Sequence, residues 1–253
     1  MIHLSWDCEQ YYASIYRSNG EYLHEIEEFD SVKIEDLYHL EEQQKILLAN
    51  TEAFLSHQGG VNVLLWGARG CGKSSLIKSL LPQYSHQGLR ILQLLKHDIK
   101  VLPEIFDFLR NKPYKFVIFC DDLSFEDNEA EYKILKTLLD GGIEKFPSNI
   151  LIYATSNRRH LLPEFHNENE IFGFEGNEDK IALSDRFPLC IGFYSYGSGE
   201  YLEVLKRYFG ILPDNWEEIK QKAINYATKR GSKSPRIAAH FFKLYQNDLW
   251  NLI

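Results

Sequence analysis

Residues Gly67 to Ser74 read GARGCGKS, the pattern G-x-x-x-x-G-K-S/T that can wrap a chain of phosphates. Glycines let the backbone curl tightly enough to aim successive N–H groups at phosphate oxygens, and a helix starting after them adds its positive end. Gly67, Ala68, Arg69, Gly70, Cys71, Gly72, Lys73, Ser74 and Ser75 are therefore the candidate nucleotide contacts. Lys73 is of the type and spacing to reach the β and γ phosphates of ATP, and Ser74 to place its hydroxyl on Mg2+. Cys71 reads as a tolerated small residue. Its place beside a helix N-terminus also predicts a lowered thiol pKa and protection from alkylation by nucleotide.

A second cluster lies downstream. Phe116 to Glu126, FVIFCDDLSFE, is an apolar run ending in paired carboxylates, the arrangement that holds Mg2+ and polarises an attacking water. Asp121 is the candidate metal ligand and Asp122 the candidate base, with Glu126 a weaker second candidate. Another apolar run, NILIYATSNRRH, ends in polar residues, and Asn157 is placed to orient the water or contact the γ-phosphate. Ordinary turn chemistry competes for Asn157. Arg158, Arg159 and His160 read as part of the site, a subunit contact or a solvated basic turn.

These groups need a scaffold that brings strand ends together. Val61–Trp66, Leu89–Leu95, Lys115–Cys120, Asn149–Thr155 and Leu189–Phe193 are apolar on both parities and alternate with segments of helical length. Such runs suit a parallel sheet covered on both faces by helices. The expected fold is α/β, with five parallel strands sandwiched by helices. Beyond Phe193 the pattern turns helical over Gly199–Phe209, Asp214–Lys229 and Pro235–Leu249, a small C-terminal lid with Asp214 and Ser234 as expected N-caps. The division expected is an N-terminal extension over 1–30, a nucleotide-binding core over 31–195 and the lid over 196–253. The extension is aromatic and acidic without clear periodicity, and reads either as an adaptor or as a segment packed on the core. Residues 163–180 read as a long acidic loop, a contact surface or a disordered insertion.

The 253 residues are 44% hydrophobic and 25% charged, a composition of globular rather than disordered chains. A net charge of −8 opposes non-specific adsorption to nucleic acid. Cys8, Cys71, Cys120 and Cys190 form no CxxC pair, so neither a zinc site nor a disulfide framework is expected. No apolar run approaches the length of a membrane span, and the opening MIHLSWDCEQ lacks a signal pattern. The expected location is cytoplasmic.

Taken in order, these blocks resemble the AAA+ superfamily of P-loop ATPases from about Val32 to the end. More closely, EEQQKILLANTEAF, WGARGCGKSSLIKSLL, FCDDLSFE, IYATSNRRHLLPE and LSDRF resemble the bacterial AAA+ family catalogued as domain of unknown function 815. The resemblance implies strand order 5-1-4-3-2 and an ATP-hydrolysing homo-oligomer that remodels or regulates an unidentified protein partner. It further implies that Arg186 of LSDRF acts on the γ-phosphate bound by a neighbouring copy. Arg236 of KSPRIAAHF would be a lid sensor, and Ile34 to Leu40 would pack on the adenine. Asp122 departs from the glutamate usual at the base position. A carboxylate withdrawn by about one C–C bond can lower the rate roughly a hundredfold, so slow turnover is expected. Pro188 and Pro235 stand where the family pattern has glycine, which bears on how both arginines are aimed. The competing functions are an ATP-gated switch or scaffold with little turnover and a DNA-associated loader. A small-molecule kinase shares the glycine loop but not the paired arginines and lid.

Overall fold

The computed structural model describes residues 4–125, 129–141, 143–159, 161 and 186–252. Glu126, His160 and the 163–180 segment singled out above lie outside them. Among the described residues seven strands form one sheet: β1 (Ala13–Arg17), β2 (Tyr22–Glu25), β3 (Val63–Gly67), β4 (Leu89–Leu94), β5 (Lys115–Cys120), β6 (Ile150–Ser156) and β7 (Leu189–Phe193), in spatial order β2-β1-β4-β5-β6-β3-β7. The five expected strands are β3 to β7, all parallel and in the order 5-1-4-3-2. The expectation of five strands is corrected to seven, because the N-terminal segment supplies β1, parallel to β4, and β2, antiparallel to β1. Sequence periodicity misses this pair because only Leu23 of β2 is buried, which leaves too short an alternation to register.

Helices α1 (Glu41–Leu55), α2 (Lys73–Tyr84), α3 (Leu102–Leu109) and α4 (Ala130–Asp140) flank the sheet. Successive strand residues point to opposite faces, and β3 shows the consequence. Val63 and Leu65 join a core with Leu47 of α1 and Leu76 and Leu80 of α2, while Leu64 joins a core with Ile105 of α3 and Leu135 of α4. Burial on both faces explains why these runs are apolar throughout; every residue of β6 is buried.

The lid comprises α5 (Ser198–Phe209), α6 (Trp216–Lys229) and α7 (Pro235–Gln246). Two expectations about caps change. Asn215, not Asp214, precedes α6, and Ser234 occupies the α7 cap position without a side-chain cap hydrogen bond. At α5 the Glu200 carboxylate accepts from the Gly197 N–H at 2.7 Å, satisfying one of the otherwise orphaned amides at the helix start. Phe209 sits among Trp216, Phe242 and Tyr245 with centroids 4.7–5.5 Å away, edge-on contacts that join all three lid helices. No helix among the described residues is long and apolar enough to cross a membrane.

One buried cation fastens the N-terminal segment. Arg90 on β4 is 4% exposed and donates to the carbonyls of Cys8 at 2.5 Å, Leu89 at 2.8 Å and Ser85 at 3.0 Å. Its guanidinium lies 4.6 Å from the Tyr12 ring and 4.2 Å from the Tyr114 ring. Backbone dipoles and aromatic faces thus offset the desolvation of the charge. Arg90→Ala should lower unfolding stability by about 3 kcal/mol and open Cys8 to alkylation in the native state. Urea melts and iodoacetamide labelling check this. Continued protection of Cys8 would mean that packing of Trp6 and Tyr16 alone holds the segment.

Candidate active site

β3 delivers the chain into the glycine loop at Gly67, whose φ is +120°. A Cβ there would fall 2.0 Å from the Phe193 carbonyl oxygen, so only glycine permits β3 and β7 to close at this level. The same carbonyl accepts from the Ala68 N–H at 2.8 Å. Gly70, at φ +76°, abuts the lid, where an added Cβ would lie 2.7 Å from Ser234 Oγ. Gly72, left-handed at φ +96°, caps α2 and leaves the first amides of that helix facing the loop.

Lys73 curls back over the loop. Its ammonium donates to Gly67 O at 2.8 Å, Ala68 O at 2.9 Å and Asn157 Oδ1 at 3.4 Å. Burial lowers its pKa, while Cys71, Asp122 and Asp121 act the other way. Cys71 corrects the expectation of a reactive thiol. It is 1% exposed, and burial pushes its pKa up despite Lys73 and Arg236 nearby, because desolvation of a thiolate outweighs the pull of those cations.

The acidic strand end meets the loop through a chain of hydrogen bonds. Asp121 Oδ1 accepts from Ser74 Oγ at 2.7 Å and from Thr155 Oγ1 at 2.6 Å. Thr155 Oγ1 in turn accepts from the Asp122 N–H at 2.9 Å. Asp122 takes a left-handed turn at φ +52°, and its Oδ1 accepts from Asn157 Nδ2 at 2.5 Å. Lys73, Asn157 and Asp122 are therefore linked in one run of contacts. Thr155 is a site residue that sequence reasoning passed over, since it reads as the last residue of a buried strand. Its only signal is the β5–β6 register, in which Cys120 faces Ala154 and the next position brings Asp121 beside Thr155.

These groups share a cleft of about 920 Å³ with Arg69 to Ser75, Arg236 and, from the turn before α1, Asp36, Leu37, Tyr38 and Leu40. Arg236 begins α7, and its N–H faces Gly70 O at 3.5 Å. Arg186 does not line this cleft; it is ion-paired with Asp140 at the end of α4. Arg207 and Tyr208, from the last turn of α5, do line it. Neither stands out in sequence, because a cation ending an amphipathic helix is ordinary C-terminal chemistry.

The profile of the family described as "Protein of unknown function (DUF815)" matches residues 9–249. The chain belongs to the DUF815 family. No curated protein sequence matches this DUF815 chain. Among solved structures it is similar to Thermotoga maritima RuvB, described as a Holliday junction branch migration motor, at 18% identity and TM-score 0.52, covering 85% of this chain and 62% of that one. A RuvB point mutant gives 18% identity and TM-score 0.54, covering 84% and 64%. Aeropyrum pernix ORC1 in complex with DNA gives 14% identity and TM-score 0.59, covering 84% and 63%. The DUF815 chain thus spans under two thirds of the length of each. Its fold is that of a P-loop AAA+ protein, a mostly parallel sheet between helices.

Gly67→Ala should destabilise this DUF815 protein by about 3 kcal/mol or more, since the Phe193 backbone cannot yield as a side chain can. Thermal melts check it, and an unchanged midpoint would show that β3 and β7 can part without cost. Separately, iodoacetamide at pH 8 should modify exposed Cys190 in the native protein and spare Cys8, Cys71 and Cys120, which are buried. Peptide mapping with and without ATP reads the result. Nucleotide-sensitive labelling of Cys71 would restore the reactive-thiol expectation.

Proposed function

We propose that this chain binds Mg-ATP in the cleft and hydrolyses it slowly at contacts between copies of itself, using the cycle to remodel or regulate a protein partner in the bacterial cytoplasm. The observation that carries the reading is the Ser74–Asp121 pair at 2.7 Å, set beside Lys73, Asn157 and Asp122 in one cleft. A hydroxyl on a helix N-terminus next to a carboxylate is a donor set that fits Mg2+ on a polyphosphate. The left-handed turns at Gly67, Gly70 and Gly72 fit the phosphates themselves, since a side chain at either of the first two would meet backbone or lid.

Each residue then has a task that follows from its chemistry. Lys73 and the loop amides from Gly70 to Ser74 bind phosphate oxygens. Ser74 and Asp121 hold the metal, with Thr155 fixing the Asp121 carboxylate. When bound, Mg2+ neutralises charge building up on the phosphate oxygens. Asp122 accepts the proton of the attacking water, and the Asn157 amide orients that carboxylate. Arg236 places a cation from the lid near the transferred group, and Arg186 serves the cleft of a neighbouring copy. Two facts support that last assignment: Arg186 lies outside this chain's own cleft, and it is 45% exposed.

A second reading, an ATP-gated switch with little turnover, is favoured by one contact. The Asp122 carboxylate is engaged by Asn157 at 2.5 Å on a side chain already one carbon shorter than glutamate. Oδ1 is thereby occupied, which leaves Oδ2 of the shorter side chain to reach an attacking water. A DNA-associated role has less support. The RuvB description names a Holliday junction and that of ORC1 names DNA, whereas the charge here is −8.

Phosphate release from Mg-ATP, measured across protein concentration, separates the readings. Specific activity should rise with concentration. Lys73→Ala should abolish ATP binding, Asp122→Asn should bind ATP without turnover, and Arg186→Ala should bind normally yet lose turnover by about 10³-fold. ATP binding by wild type with no phosphate release at any concentration would establish the switch and remove Asp122 as base.

A further inference from the structure

After β5 the chain leaves the sheet through Asp121, Asp122 and Leu123, and one residue of the neighbouring strand β6 holds all three. Thr155 Oγ1 donates to Asp121 Oδ1 at 2.6 Å and accepts from the Asp122 N–H at 2.9 Å. The Thr155 carbonyl accepts from the Leu123 N–H at 2.6 Å. Burial of Thr155, which is 2% exposed, and of Leu123 shields these bonds from competition by water. A hydroxyl carries one hydrogen, an ionised carboxylate only accepts and an amide N–H only donates. The two neighbours therefore fix the direction of the Thr155 hydroxyl between them.

The backbone at Asp122 needs such a hold. It is left-handed at φ +52°, and no other non-glycine residue lining the cleft has a positive φ. In that conformation Cβ crowds the following carbonyl, and aspartate and asparagine tolerate it better than longer side chains because a short polar group finds local hydrogen bonds. Asn157 supplies such a bond here, donating from Nδ2 to Asp122 Oδ1 at 2.5 Å. The turn thus has two fastenings, its amide on Thr155 and its carboxylate on Asn157, both at the end of β6.

We infer that Thr155 is a positioning residue for both acids: through one hydroxyl it sets the Asp121 carboxylate and the left-handed turn at 122 as a unit. That turn, rather than carboxylate length alone, makes position 122 a place for aspartate. A longer acid there has to keep the turn at greater cost or give up the bond to Thr155, and its extra methylene carries the carboxylate away from Asn157. This role rests on the Mg-ATP reading above.

Titration calorimetry of the full chain with ATP, in Mg2+ and in EDTA, tests the hydroxyl. Thr155→Val should bind ATP in EDTA as wild type does, and lose about tenfold of the affinity gained on adding Mg2+. Thr155→Ser keeps the hydroxyl and should restore the gain. A mere loss of packing would weaken both conditions alike and would not be rescued by the smaller serine. An equal Mg2+ gain in wild type and Thr155→Val overturns the inference, as does failure of Thr155→Ser to restore it. Asp122→Glu probes the turn without touching Thr155, so it decides the question even if Thr155→Val does not fold. It should melt about 2 °C below wild type and release phosphate no faster. Either an unchanged midpoint or a tenfold gain in turnover overturns the inference. If wild type binds ATP in neither condition, the Mg-ATP reading itself fails. If it binds equally in both, the phosphate loop stands and the role of Thr155 falls.

Discussion

Asp121 is the point on which the cleft turns. Its Oδ1 accepts from Ser74 on α2 and from Thr155 on β6, while the residue itself follows directly from β5. Three elements distant in sequence thus meet at one carboxylate oxygen. A half-buried carboxylate left without donors would be expensive, because its desolvation is offset only by hydrogen bonds to it. The sheet register, the start of α2 and the turn at Asp122 are mutually constrained by this requirement. Moving any one of them would leave the oxygen, or a donor, unmatched.

Around that point the molecule brings two kinds of surface together. The sheet supplies rigid strand ends, buried on both faces and therefore fixed in position. The lid supplies cations from helix ends: Arg236 from the start of α7 and Arg207 from the end of α5. The lid touches the core at separate places, through Ser234 against Gly70 and through Arg207 against Tyr38. The cleft is accordingly lined from both sides, by Arg69 to Ser75 and Tyr38 of the core and by Arg207, Tyr208 and Arg236 of the lid.

The N-terminal segment has a different role. By pairing β1 with β4 it covers what would otherwise be an open sheet edge on the side away from β7, and edges left open invite unwanted pairing. Arg90 ties that addition down through backbone carbonyls rather than carboxylates. Of the two readings open for this segment from sequence, packing on the core describes residues 13–25.

The sequence by itself determined the features that depend on neighbours along the chain. GARGCGKS encodes its loop because glycine spacing and the lysine lie within one turn of backbone. The five long apolar runs encode β3 to β7 because burial on both faces demands continuous hydrophobicity. Asp121 and Asp122 were legible as a strand end carrying acid. What only tertiary structure decided are features set by residues far apart. Thr155 came to line the cleft through the β5–β6 register, and burial raises the Cys71 pKa where its place beside a helix start alone would lower it. Arg207 became a cleft residue because the lid folds back onto Tyr38. A short segment such as Tyr22–Glu25 becomes a strand only when a partner edge is presented to it. Local chemistry can be read from adjacent letters; desolvation, register and lid placement arise from contacts between residues 34 apart, as at Asp121 and Thr155, to 158 apart, as at Tyr38 and Tyr196, and no local pattern carries them.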